Sequence, residues 1–180
     1  VEEARDAALR LLTVRSRSVA EIRKRLGRKG FDRTVVDRVV EGLARTGLLD
    51  DHAFARQWVE ERIARRPRGR FALVQELRGK GVDREVAEEA VEAVFRAEGV
   101  AEEEIALRAA EKWLARRSRS TRSALVGEEG FEAEQRARRR LYGALVRKGF
   151  PRDAVGPVVD RIVEHLEGDP RRGRSDGPGI

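Results

Sequence analysis

Three residues in a row, Asp50, Asp51 and His52, are the densest set of metal-compatible side chains in the chain, and His52 and His165 are its only histidines. Neighbouring side chains at a helix start point in different directions, so the two aspartates read as helix caps rather than as a metal pair. No cysteine is present, which removes thiolate ligands, disulfides and thiol nucleophiles together. The GKG at 79–81 lacks both the leading glycine and the trailing hydroxyl of a phosphate-cradling loop, and HExxH and GxSxG are missing as well. The residues foresee neither catalysis, cofactor nor metal.

Charge is more informative. Of 39 basic residues 34 are arginine, and the formal charge is +7, so polyanions are plausible partners. The arginines cluster. Arg62, Arg65, Arg66, Arg68 and Arg70 surround a corner made by Pro67 and Gly69. Arg23, Lys24, Arg25, Arg28 and Lys29 form a second group, Arg116, Arg117, Arg119 and Arg122 a third, and Arg136, Arg138, Arg139, Arg140, Arg147 and Lys148 a fourth. Each could be a solvated helix face; their repetition favours a basic binding strip.

The elements that hold these groups follow from a repeated phrase. LGRKGF at 26–31 recurs as LRGKGV at 77–82 and LVRKGF at 145–150. With Gly30, Gly81 and Gly149 as left-handed residues past a helix end, Lys29, Lys80 and Lys148 become C-caps. Leu26, Leu77 and Leu145 then meet Phe31, Val82 and Phe150 as the apolar pair of a Schellman ending. One turn earlier stand Ile22, Leu73 and Leu141; after the phrase, Val39, Val40 and Leu43 match Ala90, Val91 and Val94, then Val158, Val159 and Ile162. Asp32 and Asp83 are placed to cap the following helices and Pro151 suits a first turn. A further helix precedes each pair, and Ser18 with Glu21 forms a capping box.

This internal repeat predicts an all-α fold of three tandem three-helix units in an elongated, curved array: 1–46, 47–98 and 99–167, with a tail at 168–180 too rich in Gly, Pro and charge to fold. The glycines lie 51 and 68 residues apart, so the third unit carries a 17-residue excess near 117–130, expected as a lengthened link between two helices. Only five lysines exist, yet three precede the glycine of the phrase, which suggests an ammonium meeting the last helix carbonyls. DREVAEEAVEAVF, after the second phrase, would present four glutamates to a polyanion, which argues against a DNA-reading helix there. No apolar run is long enough to span a membrane and no leader is visible, and the chain reads as soluble and cytoplasmic.

Residues 47–83, GLLDDHAFARQWVEERIARRPRGRFALVQELRGKGVD, resemble the RecX family of bacterial regulators of the RecA recombinase. The resemblance rests on Asp50, Asp51, Phe54 and Ala55, on the basic stretch ending in Gly69 and Arg70, and on the run from Gln75 to Val82. It covers roughly residues 4–166, and the insertion near 117–130 departs from the family's compact third unit. It implies a non-enzymatic helical protein, expected to be a monomer without cofactors. Its partner would be the RecA filament, where it lies in the groove and restrains ATP hydrolysis, strand exchange and coprotease activity. The main contact is expected at Arg62, Arg65, Arg66, Arg68 and Arg70, with Arg23, Arg25, Arg138, Arg139 and Arg140 in support. Single- or double-stranded DNA is a further possible partner of the basic surface, and nonspecific DNA binding apart from RecA is the alternative function.

Overall fold

The structure is a computed structural model and describes residues 1–168; the expected tail lies, beyond Gly168, outside the described residues. These residues form ten helices and no strand. In chain order they are α1 (Glu2–Val14), α2 (Val19–Arg28), α3 (Arg33–Arg45), α4 (Asp51–Arg65), α5 (Arg70–Gly79), α6 (Arg84–Glu98), α7 (Glu102–Leu114), α8 (Arg119–Leu125), α9 (Phe131–Val146) and α10 (Arg152–Glu167). The chain divides into two compact units. The first holds residues 1–65 and 70–99; the second holds the corner Arg66–Gly69 and the chain from Val100 onward.

The three phrases end α2, α5 and α9 in the same way. Gly30, Gly81 and Gly149 have φ of 89°, 79° and 85°. Phe31 N–H donates to Leu26 O, Val82 N–H to Leu77 O and Phe150 N–H to Leu145 O, at 3.3, 3.1 and 3.4 Å. The glycine N–H groups reach Gly27, Arg78 and Val146 carbonyls at 3.0, 2.9 and 2.9 Å, which completes the paired bonds of a Schellman ending. Leu26, Leu77 and Leu145 are wholly buried, as are Ile22, Leu73 and Leu141. The apolar positions predicted after each phrase are all buried on α3, α6 and α10.

In the first unit α1, with its small face of Ala4, Ala7 and Ala8, packs on α2 and α3, and α4 and α5 pack on α6. In the second unit α10 lies on α7 and α9, and α8 lies on α9. Alanine faces let helices approach closely, so few aromatics are needed.

Three local expectations change. Residues 119–125, expected within a plain link, are the helix α8: Ser118 accepts from Thr121 N–H at its start, and buried Ala124 and Leu125 anchor it. Asp32 stands at the N-cap of α3 without a side-chain capping bond, whereas Asp83 accepts from Glu85 N–H at 2.9 Å. Pro151 is the N-cap of α10, one residue before the first turn.

Candidate interaction surfaces

Within the first unit, the end of α5 meets the start of α2. Ser18 accepts Glu21 N–H at 3.1 Å to cap α2, and its hydroxyl donates to Lys80 O at 2.6 Å. A Cβ on Gly81 would fall 2.3 Å from the Ala20 Cβ, so only glycine allows this approach. Asp50 caps its own helix, accepting His52 N–H at 2.8 Å and Ala53 N–H at 3.2 Å. Asp51 turns instead to α2 and accepts Val19 N–H at 2.9 Å. Burial pushes the Asp51 carboxyl up, and the Val19 bond opposes this. Among the described residues no cluster of three or more His, Asp or Glu is suited to hold a metal ion.

The Lys80 ammonium does not meet the last carbonyls of α5; the backbone N–H of Lys80 takes Leu77 O at 3.0 Å. Its Nζ lies 3.9 Å from the Trp58 ring centroid and 3.4 Å from Glu21 Oε1. Glu21 also pairs with Arg15 at 2.9 Å. Burial raises the Glu21 carboxyl, but the Arg15 hydrogen bond and the Lys80 charge outweigh it and hold the group below its ordinary range. Trp58 donates to Glu76 Oε2 at 3.2 Å and stacks on Phe54 with centroids 6.2 Å apart. The three lysines have different surroundings: Lys29 is exposed, Lys80 sits on an indole, and Lys148 is half-buried beside cations. Burial first, then Arg68, Arg116 and Lys112, push the Lys148 ammonium down.

The arginines at the corner have separate duties. Arg62 Nε donates to Glu76 Oε2 at 2.7 Å and its guanidinium lies 4.2 Å from the Trp58 centroid, so it is built into the first unit. Arg70 pairs with Glu92 and lies 4.1 Å over Phe95 in the same unit. Arg65 reaches Glu61 at 3.4 Å along α4 and is mostly exposed, as is Arg66. Arg68 is half-buried. In the second unit Gly69 N–H donates to Lys148 O at 3.0 Å, and a Cβ on Gly69 would fall 2.1 Å from Gly149 O. Arg23 pairs with Asp37 at 2.9 Å, and Arg25 is exposed.

The third and fourth basic groups of the sequence come together. Arg138 is set apart, bonded to Glu134 and Asp160 at 2.8 Å each. Arg139 and Arg140 instead line a cleft of about 890 Å³ with Trp113, Arg117, Arg136 and Arg147. The sequence put Arg117 and Arg147 in different clusters, and Trp113 carried no signal of a site there. Helix α8 supplies one wall, and Arg122 Nη2 ties it to Leu114 O at 3.3 Å.

These features describe an all-helical protein with basic surfaces, in whose first unit the start of α2 meets the end of α5 and the start of α4, and with no helix among the described residues long and apolar enough to cross a membrane. The chain belongs to the RecX family. The family's first three-helix domain matches residues 4–43 and its second matches residues 50–91. A regulatory protein RecX of Mycobacterium sp. (strain KMS) is 36% identical over 173 residues, 96% of this chain and 87% of the relative. That of Amycolatopsis mediterranei (strain U-32) is 38% identical over 158 residues, 88% of this chain and 82% of the relative. The fold is shared with a crystal structure of RecX from Lactobacillus salivarius, with a TM-score of 0.65 at 20% identity over 92% of this chain and 96% of that one. A second crystal structure of regulatory protein RecX gives a TM-score of 0.70 at 24% identity over 88% and 72%.

Proposed function

We propose that this protein regulates the RecA recombinase: it binds RecA nucleoprotein filaments and restrains their ATP hydrolysis, strand exchange and coprotease activity. It acts as a cytoplasmic monomer, by binding rather than catalysis. The observation that carries the reading is the identity to regulatory RecX proteins over nearly the whole chain. The residues Asp50, Asp51, Phe54 and Ala55 serve the fold, as caps and core, so the contact falls to side chains that the fold leaves exposed. Arg65 and Arg66 are the foremost, with Arg25 in support.

Titrating the protein onto assembled RecA filaments tests this. ATP turnover falls with added protein; unchanged turnover at saturation overturns the reading. Arg65→Glu with Arg66→Glu relieves the inhibition and keeps full helicity, whereas retained inhibition moves the contact elsewhere. Arg70 is left untouched, because its bonds to Glu92 and Phe95 would confuse a contact effect with a folding effect.

A second reading, DNA binding apart from RecA, is favoured by the arginine-lined cleft of the second unit. It requires strong DNA affinity without RecA that falls steeply with salt.

A further inference from the structure

The cleft beside α8 holds five guanidiniums, from Arg117, Arg136, Arg139, Arg140 and Arg147, against one lining carboxylate, Glu129. Arg136 leans on the exposed Glu132 at 3.3 Å. Arg139, Arg140 and Arg147 have no carboxylate partner among the described residues. Like charges gathered in a concave surface repel one another and focus a positive potential into it. Such a site stores attraction for a ligand with several negative charges.

The walls indicate which ligand. Arg117 lies 4.6 Å from the Trp113 ring centroid, so guanidinium and indole form a stacked, half-exposed ledge. A Cβ on Gly143 would fall 3.2 Å from Arg147 Nη1, so this guanidinium folds along α9 over the room a glycine leaves. Ser120 and Thr121 add hydroxyls from α8. Forked donors match phosphate oxygens, and a π-ledge accepts any base face. An acidic peptide would use the forks but gain little from the ledge. A duplex carries its phosphates on a convex cylinder with its bases stacked inside, so it meets the rim and leaves the ledge unused.

We propose that this cleft is a binding site for single-stranded nucleic acid, with phosphates on Arg139, Arg140 and Arg147 and a base against the Trp113 and Arg117 ledge. The site belongs to the second unit and stands independently of the RecA reading; it assigns a place and a strand form to the DNA-binding one. The insertion that separates the third phrase from the second builds the wall, so a RecX chain with a short link there lacks this wall.

The test uses the full chain and a fluorescein-labelled oligothymidylate, read by anisotropy over a salt series without RecA. Arg139→Glu with Arg140→Glu weakens binding about tenfold or more, since each phosphate contact on a single strand contributes about 0.7 to the salt slope. The slope flattens with it. Trp113→Leu weakens binding severalfold at an unchanged slope, a split that a general loss of charge or of folding does not produce. Both substituted arginines are exposed, so helicity is retained. Equal affinity for a duplex of the same length overturns the inference, as does equal competition by an oligoglutamate, which would make the site one for acidic peptides. Unchanged affinity in the charge-reversed variant also overturns it, and leaves the filament ATPase result to decide the RecA reading separately.

Discussion

Replacing each lysine of the three phrases by methionine, one at a time, should give three different answers. Methionine keeps the unbranched stem and removes only the charge. At Lys80 it removes an ammonium 3.9 Å from the Trp58 centroid and 3.4 Å from Glu21, with both charged side chains about one-fifth exposed. A largely desolvated cation on an indole is worth about 1–2 kcal/mol and a partly screened ion pair about 0.5–1 kcal/mol. Lys80→Met therefore loses about 2 kcal/mol, which is about 4–8 °C in Tm for a chain of this length. Lys29 is exposed, so Lys29→Met stays within about 0.5 kcal/mol of the parent. Lys148 is half-buried near Arg68, Arg116 and Lys112 and its ammonium is pushed down from 10.5, so Lys148→Met leaves stability unchanged or raises it. The sign can be checked with pH. A lysine whose folded pKa is depressed disfavours the fold while protonated in both states, and the penalty is relieved as pH rises through the folded pKa toward 10.5. Any advantage of Lys148→Met over the parent therefore shrinks on the alkaline side. Thermal unfolding by circular dichroism measures all three. Equal losses at the three positions would refute the reasoning and return the lysines to one shared role at the helix end.

Three further outcomes follow from the junctions and the core. Gly30→Ala meets only the penalty of a positive φ, about 1 kcal/mol, while Gly81→Ala adds contact with Ala20 and should lose at least twice as much in denaturant unfolding. Glu21 is held below its ordinary value of 4.5, so its contribution is present above that pH and lost as pH falls through the folded pKa; Glu21→Gln lowers Tm at pH 7 and flattens the acid limb of Tm against pH. Leu77→Ala and Leu145→Ala empty fully buried sites and should each lose about 2–5 kcal/mol, measured as a shift in the urea midpoint at constant m-value.

The helix endings were legible in the sequence because they are local. Six consecutive residues contain the leucine, the glycine and the apolar partner, and backbone sterics do the rest. The junction was not legible in that way. That Asp50 caps α4 while Asp51 serves α2 depends on an approach between residues far apart in the chain, and no spacing rule reports it. The RecX resemblance marked the Asp-Asp pair as distinctive; in the structure the two carboxylates serve different helices. Helix α8 was hidden by its composition: Ser and Thr at 118, 120, 121 and 123 lower helix propensity, and the two residues that hold it, Ala124 and Leu125, act through packing. Arginine clusters were visible as composition, but their duties were not. Arg62 and Arg138 satisfy carboxylates, whereas Arg139 and Arg140, one and two residues past Arg138, line a cleft.

The bond from Val19 N–H to Asp51 has a kinetic meaning. An amide in the first turn of a helix has no carbonyl of its own helix to bond, and in water it exchanges its proton readily. Here its acceptor arrives from α4, so the proton is sheltered only while the start of α4 rests against the start of α2. Its deuterium uptake thus becomes a clock for the parting of these two helices, and it should run at the pace of the deep amides of α5 rather than at that of a frayed end.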